Sequence, residues 1–345
     1  MPSRDNHKET TMKLGVCHLW GDSVDTFREE LRLSNELGYD IIGIGDSPAG
    51  WRELYISMTI AALETDTAII TPFVTSPFLR HPLIAASSLA TLQSLSGGRI
   101  AMGLATGGSN VMAAGRHPAT QVEIREYWDA LKGLLDGKPV QWEGRPVSPL
   151  HFPCKTPIYY SAFGPKALQL AGEKADGVIM FTNMDLELTA RKIAAVRDGA
   201  RAAGRNPDDV DIWVTAFCAI RPTRQEAIED LKAFIVVNGV AIRTPELLAR
   251  VPEHLKPALE ELHRRYDPTE HVVAGGKNAR LLDELGPELT DYLAGFDTVM
   301  GTEEEVKTLL DGLAELGVSA FITNMPGHAD RSNNMRTLAR LMKDR

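Results

Sequence analysis

Apolar residues along this chain fall into two alternating kinds of segment. Short continuous runs, such as KLGVCHL at 13–19, IIGIGD at 41–46 and GVIMFTN at 177–183, have the composition of strands buried on both faces. Between them lie longer segments whose apolar positions recur every three or four residues, the spacing of a helix with one buried face. The first of these carries Val24, Phe27, Leu31, Leu33 and Leu37 and stops at Gly38. The alternation continues with AIITPFVT before PLIAASSLATLQSLSGG, RIAMGLATGG before QVEIREYWDALKGLLDGK, and PIYYSAFG before PKALQLAGEKADG. VDIWVTAFCAI then precedes TRQEAIEDLKAFIVVNG, and SAFITNMP precedes a last helix.

About eight strand and helix pairs in strict order predict an α/β fold of the (β/α)8 TIM-barrel type rather than an open sheet. Two segments break the repeat. Residues 140–155, with WEG and three prolines, predict a short excursion before the fifth strand. Residues from about 241 to 296 predict a lid-like insertion over one barrel mouth. No Gly/Ser linker divides the chain, so residues 13–345 read as a single domain behind a polar leader, 1–12, expected to be disordered. TEEEVKTLLDGLAELG reads as a solvated helix capped by Thr302, with no function attached.

The 345 residues, 43% hydrophobic and 24% charged, suffice for a sizeable core without staples. A formal charge of −9 argues against nucleic acid as a partner. No apolar run approaches the ~20 residues that cross a bilayer, and the N-terminus lacks a signal-peptide core. A cytoplasmic location and no membrane role are therefore expected. Cys17, Cys154 and Cys218 are far apart, the histidines lack zinc spacing, and no metal site is expected.

Ligands of such barrels bind at the C-terminal ends of the strands, which draws attention to the residues just after each run. His18 is the best-placed histidine for acid and base work, although a lone histidine beside Trp20 is more often a packed structural residue. Asp46 has two roles open to it: orienting a ring or substrate, or capping the loop before the next helix. Arg80 can meet a ligand phosphate or an acid on the rim. Thr106, Gly107 and Gly108 lie in ATGGSN, where glycines let a planar ligand or phosphate approach the backbone. Ser161 follows the fifth strand. Beyond it Gly164, Pro165 and Lys166 open a helix whose free N–H groups favour phosphate, while Pro165 at the first helical position is also ordinary helix chemistry. Ser47, Asn110, Thr182, Asn183, Asn324 and Met325 complete a mouth rich in hydroxyls, amides and glycines. Such a mouth suits a cofactor that carries its own chemistry. Trp20, Trp51, Met102 and Phe163 suggest an apolar or aromatic substrate and are equally compatible with core.

The stretch TPFVTSPFLRHP, 71–82, holds the main anomaly. Pro72 interrupts an otherwise buried strand, and a proline there marks irregular backbone. The longer segment VTSPFLRHPLIAASSLATLQSLSGGRIAMGLATGGS resembles the flavin-dependent luciferase-like monooxygenase superfamily, which includes coenzyme F420-dependent methylenetetrahydromethanopterin reductases. YYSAFGPKALQLAGEKADGVIM resembles its phosphate-binding strand and helix, and EYWDALKGLLDGKPVQWEGR the segment between. The likeness runs from about Lys13 to Arg345 and is weakest over 241–296.

The resemblance implies a flavin or deazaflavin at the C-terminal mouth and a non-prolyl cis peptide at Phe73–Val74 behind its ring. It further implies that Thr75, Thr106, Gly107 and Gly108 line the ring or its side chain, that Gly164 and Lys166 hold phosphate, and that the protein is a homodimer or higher homo-oligomer. Two departures bear on the cofactor. Asp46-Ser47 stands where many F420-dependent relatives have Asp-His, and Gly108 stands where they often have an acid. With these proton donors missing, the leading expectation is a monooxygenase that takes reduced FMN from a separate flavin reductase and oxygenates a small organic substrate with dioxygen. An F420-dependent reductase or dehydrogenase is the alternative, and a non-catalytic flavin-binding protein is a third reading.

Overall fold

The computed structural model describes residues 12–21, 23–243, 245–267, 270, 273, 275–324 and 331–344. The first half of the chain forms β1 (Lys13–His18), α1 (Val24–Leu37), β2 (Ile41–Ile44), α2 (Leu54–Glu64), β3 (Ile69–Pro72), α3 (Pro82–Ser96) and β4 (Met102–Leu104). It continues with α4 (Ser109–Ala113), α5 (Gln121–Leu135), β5 (Val140–Trp142), β6 (Arg145–Val147), β7 (Ile158–Ser161) and α6 (Pro165–Lys174). The second half forms β8 (Gly177–Phe181), α7 (Leu186–Ala202), β9 (Asp211–Ile220), α8 (Arg224–Ala241), α9 (Pro245–Leu248), α10 (Lys256–Arg265), α11 (Lys277–Leu285) and α12 (Pro287–Leu293). It ends with β10 (Thr298–Gly301), α13 (Glu303–Glu315), β11 (Ala320–Asn324) and α14 (Arg331–Lys343).

All eight expected strands are present and parallel, in the order β3-β2-β1-β11-β9-β8-β7-β4. Bridges from Ile70 to Ile100 and from Thr75 to Leu104 join β3 to β4 and nearly close the barrel. The strands are buried along their length because one face meets the helices and the other the barrel interior. Inside, Ile41, Ala101, Tyr159, Ile179, Trp213, Ala320 and Ile322 form one apolar cluster. The Tyr159 and Trp213 rings stack with centroids 3.7 Å apart, and both donate hydrogen bonds to Asp211 at the start of β9, at 2.7 and 3.0 Å. The N-terminal half of the barrel is thereby filled, and open space lies at the C-terminal end.

Local chemistry explains the helix ends. The Ser23 side chain accepts from Thr26 N at the start of α1, and Gly38 ends it in the left-handed region. In the SGGR turn after α3, Gly97 and Gly98 take φ of +67° and +92°. Arg99 then reaches across to the end of α2, donating to the carbonyls of Ala62, Thr65 and Ala68 at 2.9–3.0 Å. This arginine is a clamp on the N-terminal face, remote from the mouth. Thr302 and Glu305 form the expected capping box of α13.

Residues 140–155 contain the antiparallel hairpin β5–β6. Neither α4 nor β10 was foreseen. The ten-residue strand β9 has two neighbours along one edge, β8 pairing with Asp211–Thr215 and β10 with Phe217–Ile220, while β11 pairs with Trp213–Phe217 along the other. In the insertion, α10, α11 and α12 pack around α8 in a second apolar cluster that includes Leu231, Phe234, Leu259, Leu262, Leu282 and Leu293. Its far end is tied down by Asn238 Nδ2, which donates to Phe296 O (2.6 Å), and by Asn183 Nδ2, which donates to Gly295 O (2.8 Å). Of the expected leader, residues 1–11 lie outside the described residues, while Met12 is buried in the core. Among the described residues no helix is long and apolar enough to cross a membrane.

Candidate cofactor and substrate site

Pro72 is the last regular residue of β3. Phe73 N still donates to Ile44 O of β2 (2.7 Å), whereas Thr75 N donates to Gly103 O (3.0 Å) and Thr75 O accepts from Ala105 N (2.8 Å). The strand changes partner across Phe73–Val74, and that peptide bond is cis, at the position the resemblance implies. The bulge fills the interior closely enough to require glycine on both flanking strands. A Cβ on Gly43 would stand 2.8 Å from the Phe73 Cβ, and one on Gly103 would collide with the Pro72 carbonyl oxygen.

Against this bulge lies a cavity of about 330 Å3, at the small end of the range for small-molecule sites. Phe73, Val74, Thr106, Gly107, Gly108, Ser161 and Asp46 all line it. Its apolar walls come from Leu19, Trp51, Phe163, Ile179, Phe181 and Phe217, and Ser47, Asn110, Thr215 and Asn324 add uncharged polar groups. Nothing lies within 4 Å of where a Cβ would stand on Gly108 or Gly164. These two residues are the N-caps of α4 and α6, and neither helix start has a side-chain cap. A backbone floor, apolar walls and open glycine backbone fit a planar ring that carries a polar tail.

Asp46 has both carboxylate oxygens on Arg80, at 2.7 and 3.2 Å, and Arg80 also reaches Glu53 at 2.7 Å. The guanidinium sits over the Tyr55 ring, 5.0 Å from its centroid. Burial opposes the Arg80 charge, but the hydrogen bonds and negative charge of Asp46, joined by Glu53, outweigh it and hold Arg80 above its ordinary pKa. Asp46 does not cap the next helix; Glu53 does, accepting from Ile56 N at 2.9 Å. The Asp46 carbonyl accepts from Asn110 Nδ2 (3.0 Å), and Asn110 Oδ1 accepts from Gly108 N (2.9 Å), so the loops after β2 and β4 are joined.

His18 is not at the mouth. Leu19 faces the cavity, so its neighbour His18 has the opposite strand parity and points outward to α1. Its ring lies edge-on to Phe27, with Nε2 3.2 Å from Ser34 Oγ. Ser34 Oγ is committed to the Glu30 carbonyl (2.9 Å), and Arg331 donates to His18 Nδ1 at 2.9 Å. The Glu30 carboxylate also lies 3.2 Å from Nδ1, and burial, partly offset by Glu30, holds the imidazole below its ordinary pKa. It is a structural group.

Thr75 is buried and carries the β3–β4 ladder without lining the cavity. Gly164, Pro165 and Lys166 are exposed, just beyond Phe163 on the rim. Trp20 stacks on Phe27 at 4.4 Å and Met102 is core, so neither belongs to the cavity. Met325 lies outside the described residues. The sequence reading named nothing from β9, yet Thr215 and Phe217 face the cavity, as do Ile179 and Phe181 of β8. Their signal is alternation within an apolar run: 211, 213, 215 and 217 share one face.

Among the described residues one ionisable side chain faces the cavity, and it is tied to arginine; such a lining suits a cofactor that brings its own redox chemistry, and the molecule is an oxidoreductase. More particularly, the model of the luciferase-like monooxygenase family matches residues 5–320, and the chain belongs to that family. Over 328 residues it is 29% identical to a 5,10-methylenetetrahydromethanopterin reductase of Methanolobus tindarius, covering 91% of this chain and 94% of that protein. The solved coenzyme F420-dependent tetrahydromethanopterin reductase from Methanopyrus kandleri is similar with a TM-score of 0.75 and 22% identity, over 95% of this chain and 97% of that one. The oxygenating constituent of 3,6-diketocamphane monooxygenase from Pseudomonas putida, in complex with FMN, has a TM-score of 0.64 and 15% identity, over 96% and 97% of the two chains. Both structural likenesses concern the fold.

Proposed function

We propose that this protein is an F420-dependent oxidoreductase that exchanges a hydride between the deazaflavin and a small organic substrate at the barrel mouth. The observation that carries the reading is the likeness to a methylenetetrahydromethanopterin reductase over 91% of the chain; a solved tetrahydromethanopterin reductase of this fold is F420-dependent by name. That likeness moves F420 ahead of reduced FMN, which the residues at 47 and 108 had favoured.

When bound, F420 supplies a two-electron hydride carrier. The chain's own part is to place and shield it. The reading gives Phe73 and Val74 the task of backing the ring, and Gly107 and Gly108 that of letting the backbone approach it. The uncapped start of α6 at Gly164, with Lys166 in its first turn, suits an anionic tail. Trp51, Phe163, Phe181 and Phe217 keep water out. Asp46, paired with Arg80, fixes two mouth loops and moves no proton.

A second reading is reduced FMN with dioxygen, the flavin delivered by a reductase. It is favoured by Ser47 and Gly108, which face the cavity and offer no acid. Anaerobic titration decides between the two. F420 binding, with bleaching of its absorbance in the presence of a reductant substrate, supports the first. FMN binding with oxygen-dependent product formation, and no F420 turnover, refutes it. Tight binding of either cofactor with no turnover across a substrate panel would make the protein a flavin carrier.

A further inference from the structure

The opposite wall of the cavity holds a polar pair that the reading above leaves unused. In the barrel order, β9 lies four strands from β3 in either direction, so Thr215 faces the Phe73–Val74 bulge across the mouth. Thr215 is 1% exposed, and its Oγ1 accepts a hydrogen bond from Asn324 Nδ2 at 2.8 Å. With a lone pair engaged, the hydroxyl presents its proton, and that proton has no acceptor among the described residues. A buried donor without a partner is costly, and a ligand oxygen would satisfy it.

Charge restricts the ligand further. Among the described residues lining the cavity only Asp46 is ionisable, and Arg80 holds both its oxygens. Among these residues no free countercharge meets a buried ionic substrate, whose desolvation they would leave uncompensated. The cavity is lined mainly by aromatic and aliphatic side chains, with a few hydroxyls and amides.

We propose that the substrate is an uncharged carbonyl compound, or the alcohol it interconverts with, whose oxygen is fixed by a hydrogen bond from Thr215 held in place by Asn324. This rests on the F420 reading. In the exchange, the carbonyl carbon gains the hydride and electron pair lost by reduced F420, and the oxygen gains a proton through solvent, giving the alcohol and oxidised F420. Thr215 orients the oxygen and is not the source of the proton.

The test is calorimetric titration of the full-length protein with acetophenone, benzoate and ethylbenzene, run with and without F420. F420 binding is measured first and judges the F420 reading on its own. Acetophenone is expected to bind more tightly than benzoate. Thr215→Val should weaken acetophenone about fivefold to tenfold and leave ethylbenzene and F420 affinity unchanged. Thr215→Ser should restore acetophenone binding, and Thr215→Ala replaces the valine variant if that fails to fold. Benzoate binding as well as acetophenone, no binding of acetophenone at all, or a Thr215→Val effect confined to F420 would each overturn the proposal.

Discussion

Asp297→Asn should stabilise the protein at neutral pH. Asp297 precedes β10 with φ of +49°, a backbone region that asparagine adopts more readily than most residues. Burial pushes its carboxyl up from 3.8 to about 6, and Lys192 offsets this only in part. The unfolded chain releases this proton near 3.8, whereas the folded protein keeps it until about 6. Between those values the folded state holds more protons, so stability falls as pH rises through the window and stays lowered above it. A shift of about two units at ~1.4 kcal/mol each corresponds to at most about 3 kcal/mol. Asparagine carries no such ionisation penalty. Urea midpoints at about pH 4.5 and about pH 7 measure the effect, with a larger gain for Asp297→Asn at the higher pH. An equal shift at both pH values, or destabilisation at pH 7, would refute the reasoning.

Gly103→Ala should lower the melting temperature, at a cost of about 1–3 kcal/mol, because its Cβ meets the Pro72 backbone. Gly108→Ala enters open space and should leave melting unchanged while weakening cofactor binding in a titration. Asp46→Asn leaves Arg80 with Glu53 alone and should cost about 3 kcal/mol in a denaturant titration, with Asp46→Asn/Arg80→Met losing less than the single change. The expected homodimer should cover the apolar stripe of α2 and α3, where Ile56, Leu63, Ile84 and Leu95 are 47–67% exposed and charge is limited to Glu64. Light scattering should find a dimer that Leu63→Glu with Leu95→Lys dissociates; a monomeric wild type would refute it.

The barrel was legible because eight strands buried on both faces leave eight unbroken apolar runs. Pro72 was legible for a related reason, since a proline inside such a run has no regular ladder to join. His18 was misplaced because position in sequence does not reveal strand parity; one residue decides whether a side chain faces the mouth or a helix. Asp46 and Arg80 lie 34 positions apart, and nothing local announces their pairing. Thr215 and Phe217 were missed because, Thr215 apart, β9 is apolar from Ile212 to Ile220 and carries no turn signal where the barrel ends. The four residues of β10 were too few to stand out beside the insertion.

That division of β9 between two neighbours makes the insertion an interchangeable part. The residue that follows it is hydrogen-bonded through the main chain to Phe217, since Asp297 O accepts from Phe217 N at 3.0 Å. Exchanging residues 241–296 for a segment of different length would therefore reset the position of one aromatic wall while leaving the bulge, the Asp46–Arg80 pair and the rest of the barrel as they are. The aperture of the mouth and the machinery beneath it are, in this architecture, separately adjustable.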